Sequence, residues 1–463
     1  MSAYAEYQDI NLPWLKAIPA HWEVRRNKNI FTEQKEIVGE KSSNYTLLSL
    51  TLNGIVPRDM DGGGKFPESF DKYKIVRIGD MAFCLFDIDE TPRTVGLSGY
   101  DGMLTGAYTI MHVSNINSRF IYYYYLALDN GKMLKPLYSG LRKTININTF
   151  QSTKVPVPPR DEQDQIVRFL DWKVSSINKL ISNYRHQIAL LDEMKQQRID
   201  KAVVKGLHER SFIHNDDIRW DIDYPEHWQI RRIRESFSFR KGLSITKANL
   251  EETGIAVISY GQIHSKKNSG VGLNEELIRY VNKTYLTTNR SCLVEKGDFI
   301  FADTSEDVSG CGNCAYVDQD DTIFAGYHSI IAHPAGSTNN KYLAYLFKSP
   351  TWRCQIRKKV NGVKVYSITQ AMLKDAFILI PPATEQEEIV RHLDEVYAKI
   401  DAIIKKMEEK IENLQDLKIR LIADTVTGKI DVRGIEIPEY EFVEETIDGD
   451  SEGCEEETEE QED

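Results

Sequence analysis

Two long segments of the chain carry apolar side chains at the three- and four-residue intervals of an amphipathic helix. One follows Pro158-Pro159 and the other follows Pro381-Pro382, and each continues for about 44 residues without glycine or proline. At 1.5 Å per residue, a helix of that length measures about 65 Å. Thr384, with Glu387 three residues later, has the pattern of a capping box and predicts a helix start directly after the second proline pair. The apolar positions of the two stripes are Ile177, Leu180, Tyr184, Ile188 and Leu191 in the first segment, and Ile400, Ile403, Met407, Leu414, Leu417 and Leu421 in the second.

A single amphipathic helix of this length would leave its apolar stripe exposed to water. Two such helices in one chain can cover each other's stripes, so the pattern predicts an antiparallel coiled coil. Gly206 and Gly428 stand near the expected helix ends, where glycine adopts the backbone conformation that terminates a helix. A coiled coil alone is a spacer without a ligand. The function must therefore come from the segments that the helices hold apart.

The chain contains two copies of one unit. Seven identities over eighteen positions relate the segments that begin at Trp14 and Trp220, and a second set of identities relates the starts of the two long helices. The matched residues are Trp14, Pro19, His21, Trp22, Arg25, Arg26 and Phe31 with Trp220, Pro225, His227, Trp228, Arg231, Arg232 and Phe237, and Pro158, Pro159, Glu162, Gln163, Ile166, Val167, Arg168, Leu170, Asp171, Ile177 and Ile181 with Pro381, Pro382, Glu385, Gln386, Ile389, Val390, Arg391, Leu393, Asp394, Ile400 and Ile404. The offset rises from 206 to 223, so the stretch between the matches is 17 residues longer in the second copy. This pattern is typical of one scaffold that carries two different recognition modules, and duplex DNA is the obvious pseudo-symmetric partner.

The stretches between the matched segments predict mixed α/β domains. Short β-branched and aromatic runs such as 74–78, 81–86 and 299–302 alternate with glycine-rich turns, and helical patches occur at 120–128 and 341–347. Trp22 and Trp228 are expected to be core residues, because a base-contacting position would differ between modules that recognise different sequences. The predicted fold class is α+β, with two mixed α/β domains in a pseudo-two-fold arrangement joined by an antiparallel coiled coil of two long helices.

The charge is divided unevenly along the chain. The formal net charge is −12, but the segment from Gly434 onward holds fifteen Asp and Glu and no Lys or Arg, so residues 1–433 carry +3. Such an acidic tail cannot bury enough apolar surface to order itself and is expected to be disordered. The chain shows no membrane-length apolar run, no signal peptide and only six cysteines, so a cytoplasmic protein without a disulfide framework is expected.

Motifs of catalysis are missing from the sequence. There is no P-loop, no dinucleotide-binding glycine motif, no HExxH and no GxSxG. The chain also lacks the Asn-Pro-Pro-aromatic motif and the glycine-rich cofactor loop of adenine methyltransferases. Cys311-Gly-Asn-Cys314 is a single CxxC, for which a plain turn is favoured over a zinc site because structural zinc needs four ligands. No metal site and no catalytic residue are predicted in this chain.

Basic residues cluster near the glycine-rich loops. Lys and Arg neutralise phosphates, and arginine can contact guanine directly. Any one pair is more simply a solvated charged face, but the set favours DNA contact. The candidate DNA-binding residues are Arg142, Lys143, Lys364, Arg240, Lys241, Lys266, Lys267, Lys358 and Lys359.

The order of these motifs resembles the specificity subunit of type I restriction-modification systems, over about residues 9–433. The resemblance rests on the repeated Pro-x-His-Trp and Pro-Pro-x-x-Glu-Gln-x-x-Ile motifs. Further matches are Gly79-Asp80, Gly297-Asp298, the stretch 302–307 (ADTSED) and the stretch 425–430 (TVTGKI). Each motif is weak by itself, whereas their order and duplication are specific. The acidic tail is not part of the pattern.

The resemblance implies a division of the chain. It predicts target-recognition domain 1 at 1–157, a conserved spacer helix at 158–206, target-recognition domain 2 at 207–380, a second conserved helix at 381–430 and the tail at 431–463. Each domain would recognise one half of a bipartite DNA target, and the helix pair would set the gap and dock two adenine methyltransferase subunits. Two restriction subunits, which are motor nucleases, would complete the complex. S-adenosylmethionine and ATP would bind those partners, and this chain would bind no cofactor and catalyse nothing.

Two readings from other classes remain open at the level of sequence. The chain could be a structural adaptor whose modules bind proteins on a coiled coil, or a self-contained nuclease or methyltransferase. A sequence-selective, salt-dependent shift of duplex DNA separates the first reading from DNA recognition. Methyl transfer by the purified chain alone would revive the second.

Overall fold

The computed structural model describes residues 3–58, 67, 69–138, 143–217, 220–362 and 364–444. The chain forms two compact units, one made of residues 1–186 with 407–463 and the other of residues 187–406. Two long helices, α3 (Arg160–Lys205) and α9 (Ala383–Val426), each contribute a segment to both units. The mixture of short strands and helices with two long helices confirms the predicted α+β class.

Unit 1 is built around a four-stranded antiparallel sheet of order β4-β11-β8-β9. Smaller antiparallel pairs surround this sheet: β1 with β2, β3 with β12, β5 with β6 and β7 with β10. The strands and helices are β1 Tyr7–Leu12, β2 Leu15–Pro19, β3 Glu23–Arg26, β4 Phe31–Gln34, β5 Leu48–Thr51, β6 Gly54–Pro57, β7 Lys74–Val76, β8 Met81–Phe83, β9 Val95–Leu97, β10 Gly102–Leu104, β11 Thr109–Val113, α1 Ser118–Asn130, α2 Ile147–Ser152 and β12 Lys154–Val157.

Aromatic side chains fill the space between the sheet and the helices of unit 1. Phe31, Phe83, Tyr125 and Phe150 form one buried cluster, with ring centroids 4.9–6.0 Å apart. Burial of an aromatic side chain stabilises the fold by about 1.5–3 kcal/mol, and edge-to-face pairs add to that. The tyrosine run of α1 therefore serves packing.

Unit 2 repeats this topology. Its sheet β16-β25-β21-β23 has the strand order of the unit 1 sheet, and the pairs β13 with β14 and β15 with β27 match β1 with β2 and β3 with β12. The strands and helices are β13 Phe212–Asn215, β14 Ile222–Pro225, β15 Gln229–Arg232, β16 Phe237–Lys241, β17 Leu250–Glu251, β18 Ile255–Ile258, α4 Tyr260–Ile263, β19 Arg279–Val281, α5 Tyr285–Thr288, β20 Leu293–Val294, β21 Phe299–Ala302, β22 Thr304–Ser305, β23 Cys314–Tyr316, β24 Ile323–Ala325, β25 Ser329–Pro334, α6 Asn340–Lys348, α7 Pro350–Arg357, β26 Tyr366–Ser367, α8 Gln370–Lys374 and β27 Phe377–Ile380.

The two units differ most between the first two matched strands along the chain, which are β4 and β8 in unit 1 and β16 and β21 in unit 2. The sequence offset is 206 at Phe31 and Phe237 and has risen to 218 at Gly79 and Gly297. In unit 2 this stretch contains strands of a five-stranded sheet of order β17-β19-β18-β24-β20, with one parallel pair, β18 and β24. The frame of the unit is thus repeated while one region is rebuilt.

The long helices pack antiparallel within each unit. In unit 1 the Lys418 ammonium donates to Asn178 Oδ1 at 3.3 Å, and Lys410 lies over the Tyr184 ring at 5.3 Å. Residue numbers therefore rise along one helix as they fall along the other. In unit 2, Lys195 pairs with Asp401, and His208, just beyond α3, contacts Glu388 at 3.3 Å. The direction is the same in both units.

The buried seam between the helices differs from the predicted stripes. Ile177 and Leu421 are buried, and Tyr184, Ile188, Leu191, Ile400, Met407 and Leu414 are partly buried. Leu180, Ile403 and Leu417 are 47%, 44% and 51% exposed, so they do not form the buried seam between the helices, and their part in docking partner subunits stays a prediction. Two of the buried seam positions are polar, Asn178 and Lys418. A search for apolar periodicity passes over such positions and selects their exposed apolar neighbours instead.

The first part of the acidic tail is ordered against α3, which departs from the predicted disorder. Val432 is fully buried, and Gln165 Nε2 donates to the carbonyls of Val432 and Ile435 at 3.1 and 2.8 Å. Further along, Ser175 Oγ donates to Glu441 O at 2.9 Å, and the Val443 amide donates back to Ser175 Oγ at 2.5 Å. Apolar side chains of this acidic stretch, Ile435 and Ile437, also pack against the hydrophobic core of unit 1. Residues 445–463 lie outside the described part of the chain.

Candidate nucleic-acid interface

A glutamate at the start of each long helix anchors the Pro-x-His-Trp segment of its unit. In unit 1, Glu162 is 5% exposed and accepts from Tyr4 OH at 2.6 Å, from Trp22 Nε1 at 3.0 Å and bonds His21 Nε2 at 2.7 Å. In unit 2, Glu385 bonds His227 Nε2 at 2.8 Å and Trp228 Nε1 at 2.9 Å. Burial acts to raise the pKa of Glu385, but hydrogen bonds from Trp228 and His227 outweigh it and lower that pKa. The two tryptophans are core residues, as expected.

Each tryptophan also packs on the glycine that ends the other long helix. A Cβ on Gly428 would lie 3.3 Å from the Trp22 ring and 2.3 Å from Pro19 Cδ, and one on Gly206 would lie 3.2 Å from the Trp228 ring. Both glycines have positive φ, +75° and +78°, which an L side chain rarely adopts. In each unit, therefore, one tryptophan joins the start of one long helix to the end of the other.

The glutamine beside each glutamate fastens a second element. Gln163 Oε1 accepts from the Asn117 amide at 2.8 Å, and Gln386 Oε1 accepts from the Asn339 amide at 2.7 Å. Each asparagine is the N-cap of a domain helix, α1 or α6. Each glutamine Nε2 donates to the first carbonyl of the neighbouring proline pair, at 2.8 and 2.7 Å.

An aspartate two turns further along each long helix fastens the same domain helix. Asp171 accepts from Tyr123 OH at 2.7 Å and pairs with Arg119 at 2.7 Å. Its counterpart Asp394 accepts from Tyr345 OH at 2.6 Å and pairs with Lys341 at 2.8 Å. The sequence shows that this Glu, Gln and Asp occur in both copies. Only the contacts in the structure show that they attach each domain to its long helix.

The Gly-Asp motifs also serve the scaffold. Asp80 and Asp298 are buried, and each carboxylate bonds a histidine on the adjacent strand, His112 at 3.0 Å and His333 at 2.6 Å. These motif residues hold turns in place. The repeated motifs therefore form a shared frame, and the candidate DNA contacts must lie elsewhere.

Four of the nine predicted DNA-binding residues are held by acceptors of their own unit. The Lys143 ammonium pairs with Glu90 at 2.6 Å and Asp89 at 3.1 Å, hydrogen bonds that raise its pKa. Arg240 donates to Asp298 and to Ser291 O, both at 3.2 Å. The remaining two pairs are Lys267 with Glu276 at 2.6 Å and Lys359 with Asp375 at 3.5 Å. Such cations must exchange a carboxylate for a phosphate in order to bind DNA.

The other predicted cations are more available. Lys241, Lys266, Lys358 and Lys364 are exposed and form no ion pair with any residue that the structure describes. Lys364 lies two residues before β26, which pairs with β22 of the 302–307 motif. Arg142 lies outside the described residues. The structure thus brings Lys364 close to a family motif and leaves the other three at separate places in unit 2.

The CxxC pair is buried in unit 2. Cys311 Sγ contacts Asp307 O at 3.5 Å, and burial raises the pKa of the Cys314 thiol to about 12. Within the described ranges, no group of three His, Cys, Asp or Glu could hold a metal ion. Of the helices in those ranges, none combines the length and apolarity that crossing a bilayer requires.

The fold and its attachments define a class: a duplicated α+β protein whose two modules are fastened by the same residues to two long helices. Residues 94–189 and 225–413 match the family model described as type I restriction modification DNA specificity domain. The chain belongs to this family, which confirms the resemblance found in the sequence.

Relatives and solved structures agree with this assignment. The chain is 22% identical over 431 residues to the type I restriction enzyme MjaVIII specificity subunit of Methanocaldococcus jannaschii, covering 90% of this chain and 95% of that protein. It is 25% identical to the EcoKI specificity subunit of Escherichia coli K12 over 63% of this chain and 62% of that protein. A chain from a structural study of type I R-M complex assembly and conformational transition matches with a TM-score of 0.59 and 14% identity, covering 89% of this chain and 99% of that one.

Proposed function

We propose that this chain is the sequence-specific DNA-recognition subunit of a type I restriction-modification complex, with one module for each half of a bipartite target. The observation that carries the proposal is the repeated attachment. The same Glu, Gln and Asp fasten each module to a long helix, while the segment between the matched strands is rebuilt in unit 2. A common frame with different inserts suits recognition of two different half-sites.

The division of labour follows the chain. Residues 1–157 and 207–380 would form the two recognition domains, and 158–206 and 381–430 the spacer helices that set the gap between the half-sites. Half-sites on one face of B-DNA are about 34 Å apart, or a multiple of this. Helices of 46 and 44 residues are long enough to work at that scale.

The exposed lysines of unit 2 are proposed as backbone contacts. Phosphate contacts make up half or more of the hydrogen bonds in protein–DNA interfaces, and they fix the register of the protein on the duplex. Lys364 is the best placed of the predicted set, because its loop leads into the strand that pairs with β22. Base contacts would come from the parts that differ between the modules.

The chemistry would reside in partner subunits. The sequence carries no motif for S-adenosylmethionine or ATP. We therefore propose that two methyltransferase subunits bind the helix pair and supply methyl transfer, and that two restriction subunits supply ATP-dependent translocation and cleavage. The chain itself would select the site and catalyse no step.

The test of the proposal is the methylome of a host that carries the complete system. The expected result is adenine methylation at one split motif, two short half-sites separated by a fixed gap. Replacing residues 225–380 with the matching segment of a relative should change one half-site and leave the other intact. If neither half-site changes, or if methylation persists after deletion of this chain, the proposal is wrong.

A second measurement examines the backbone contacts. In the complex with its methyltransferase partner, Lys364→Ala should weaken duplex binding uniformly across sequences and reduce the slope of log K against log salt by about 1. Lys296→Ala is the matched control, because Lys296 is exposed in the same unit but already pairs with Asp320. Equal effects of the two variants would reject a phosphate contact at Lys364. The absence of any salt-dependent DNA binding by the complex would favour a protein-binding adaptor.

A further inference from the structure

A cavity of about 240 Å³ in unit 2 is lined by three cations and by no acidic residue. Lys348 is the last residue of α6, and Arg353 and Arg357 lie on α7. The two arginines are four residues apart and therefore share one face of α7. Like charges at this spacing repel each other, so the helix gains nothing from the arrangement by itself.

Within the described residues, the hydrogen bonds that these cations donate go to neutral acceptors, while the charge of Asp192 acts to raise the pKa of Lys348. Lys348 donates to the Ser269 carbonyl, Arg353 Nε donates to the Phe347 carbonyl at 3.0 Å, and Arg357 donates from one amino group to the Ser309 carbonyl. The Nε of Arg357 is buried and has no hydrogen-bond partner in the described structure. Across the same residues, no carboxylate lies within ion-pair distance of any of the three cations.

Burial disfavours the charged form of a basic side chain, and it lowers the pKa values of two of the three cations. Burial, with the nearby Arg353 and Lys195, lowers the pKa of Lys348 to about 8. Burial also lowers the pKa of Arg353 to about 10, and Arg357 acts in the same direction. Removing a cation from water without a nearby counter-charge is destabilising. Three cations around one cavity therefore favour an anionic ligand.

We propose that this cavity binds a phosphate-type oxyanion. The amino groups of Arg353, the ammonium of Lys348 and the free Nε–H of Arg357 are donors of the kind that bind a tetrahedral dianion. The volume equals about eight liquid water molecules at ~30 Å³ each, enough for a phosphate with some water. Proton transfer and covalent chemistry are not required.

The site belongs to the second copy alone. Lys348 stands nine residues after the N-cap Asn339, and the corresponding residue after Asn117 in unit 1 is Leu126. The helix α7 that carries both arginines comes directly after α6, whereas unit 1 has no described α-helix between α1 and α2. The cavity is therefore a feature added to the shared frame. It does not depend on the proposed DNA function.

The first experiment measures the thermal midpoint of the full-length chain in inorganic phosphate, with ionic strength matched by chloride. Wild type should gain about 3 °C or more at saturating phosphate, because a ligand of the native state raises stability by mass action. Arg353→Met should lose most of this gain, and in phosphate-free buffer it should be at least as stable as wild type because a buried charge has been removed. Lys296→Met is the control and should respond as wild type does, because Lys296 is exposed in the same unit, pairs with Asp320 and does not line the cavity.

An equal phosphate response in wild type and Arg353→Met, or no response in wild type, would overturn the proposal. Arg357→Gln provides a second variant if Arg353→Met fails to fold, and phosphorus NMR line broadening of inorganic phosphate by the chain provides a second readout. Loss of broadening in Arg357→Gln would support the site, and unchanged broadening would count against it.

A separate arm distinguishes a free anion from a nucleic-acid phosphate. The complex with its methyltransferase partner is titrated with duplex DNA, with and without inorganic phosphate at constant ionic strength. If the duplex supplies the anion, phosphate competes with it and Arg353→Met weakens duplex binding at least several-fold. If the anion is free, duplex affinity is the same in wild type and variant while the thermal response to phosphate is lost. Failure of DNA binding altogether would leave the phosphate result intact and would count only against the proposed function.

Discussion

Glu162→Gln tests whether the glutamate at the helix start is the main attachment of module 1. The substitution keeps the shape of the side chain, and the amide can still accept from Tyr4 and Trp22 and donate to neutral His21. It removes the negative charge. Hydrogen bonds to a charged group contribute about 1.5–3 kcal/mol each, against about 0.5–1.5 for neutral ones. Each bond therefore weakens by about 1–1.5 kcal/mol, and three amount to about 3–4.5 kcal/mol.

The counterpart Glu385→Gln is a matched comparison. Glu385 makes two such bonds instead of three, and its side chain is 19% exposed against 5% for Glu162. Solvent reduces the value of each bond, so we expect a loss of about 1–2 kcal/mol. The two variants should therefore differ, and each effect should be confined to its own unit.

Hydrogen exchange gives the required local readout, because it measures the free energy of opening segment by segment. A loss of about 3–4.5 kcal/mol speeds exchange by about 100- to 2,000-fold, since 1.4 kcal/mol is tenfold. Peptides covering 15–26 should respond to Glu162→Gln, and peptides covering 224–232 to Glu385→Gln. Equal effects of both variants, or an effect of Glu162→Gln spread evenly over both peptides, would refute the reasoning.

Further predictions concern helix ends, pH and the spacer. Gly428→Ala should destabilise unit 1 more than Gly206→Ala destabilises unit 2, because the new Cβ meets Pro19 at 2.3 Å in one case and Trp228 at 3.2 Å in the other; unit-resolved hydrogen exchange would show the order, and equal losses would contradict it. The pKa of Glu385 is lowered on folding, so its contribution is complete above the unfolded value of about 4.3 and is lost as pH falls through the lower folded value; acid titration followed at 224–232 should show this loss, and Glu385→Gln should abolish it. Burial lowers the pKa of Lys348 to about 8 in the folded chain. Between about pH 8 and 10 folding therefore releases a proton, so the free energy of unfolding should rise with pH over this range. Lys348→Met is the control, and its free energy of unfolding should not show this rise. Insertion of four residues within 175–200 should lengthen the gap of the methylated motif without altering either half-site, and an altered half-site in the methylome would show that the helices are not the spacer.

The sequence was sufficient to predict the architecture because duplication and helix periodicity are local signals. The two helices could be placed from Pro158 to Val204 and from Pro381 to Val426, close to the observed Arg160–Lys205 and Ala383–Val426. The apolar stripe was less reliable, because the seam includes the polar Asn178 and Lys418. The ordered start of the tail was missed because its acidic composition concealed apolar residues that pack on α3.

The candidate site was harder to predict, because it depends on contacts between residues distant in sequence. Nothing in the sequence indicates that Lys143 faces Asp89 and Glu90 or that Arg240 faces Asp298, and both contacts are made across the fold. Lys348, Arg353 and Arg357 were overlooked because isolated cations in helices ordinarily face solvent. Their convergence on one cavity depends on the bend between α6 and α7 at Ser349.

The Lys418–Asn178 contact has a consequence for how the long helices can be paired. Two purely apolar faces tolerate sliding by a heptad, since leucine and isoleucine meet equivalent surroundings after each shift. A buried ammonium next to one particular amide disfavours such sliding, because a shifted alignment would break the hydrogen bond between Lys418 and Asn178. The Lys418–Asn178 pair therefore favours one register between the two long helices in unit 1.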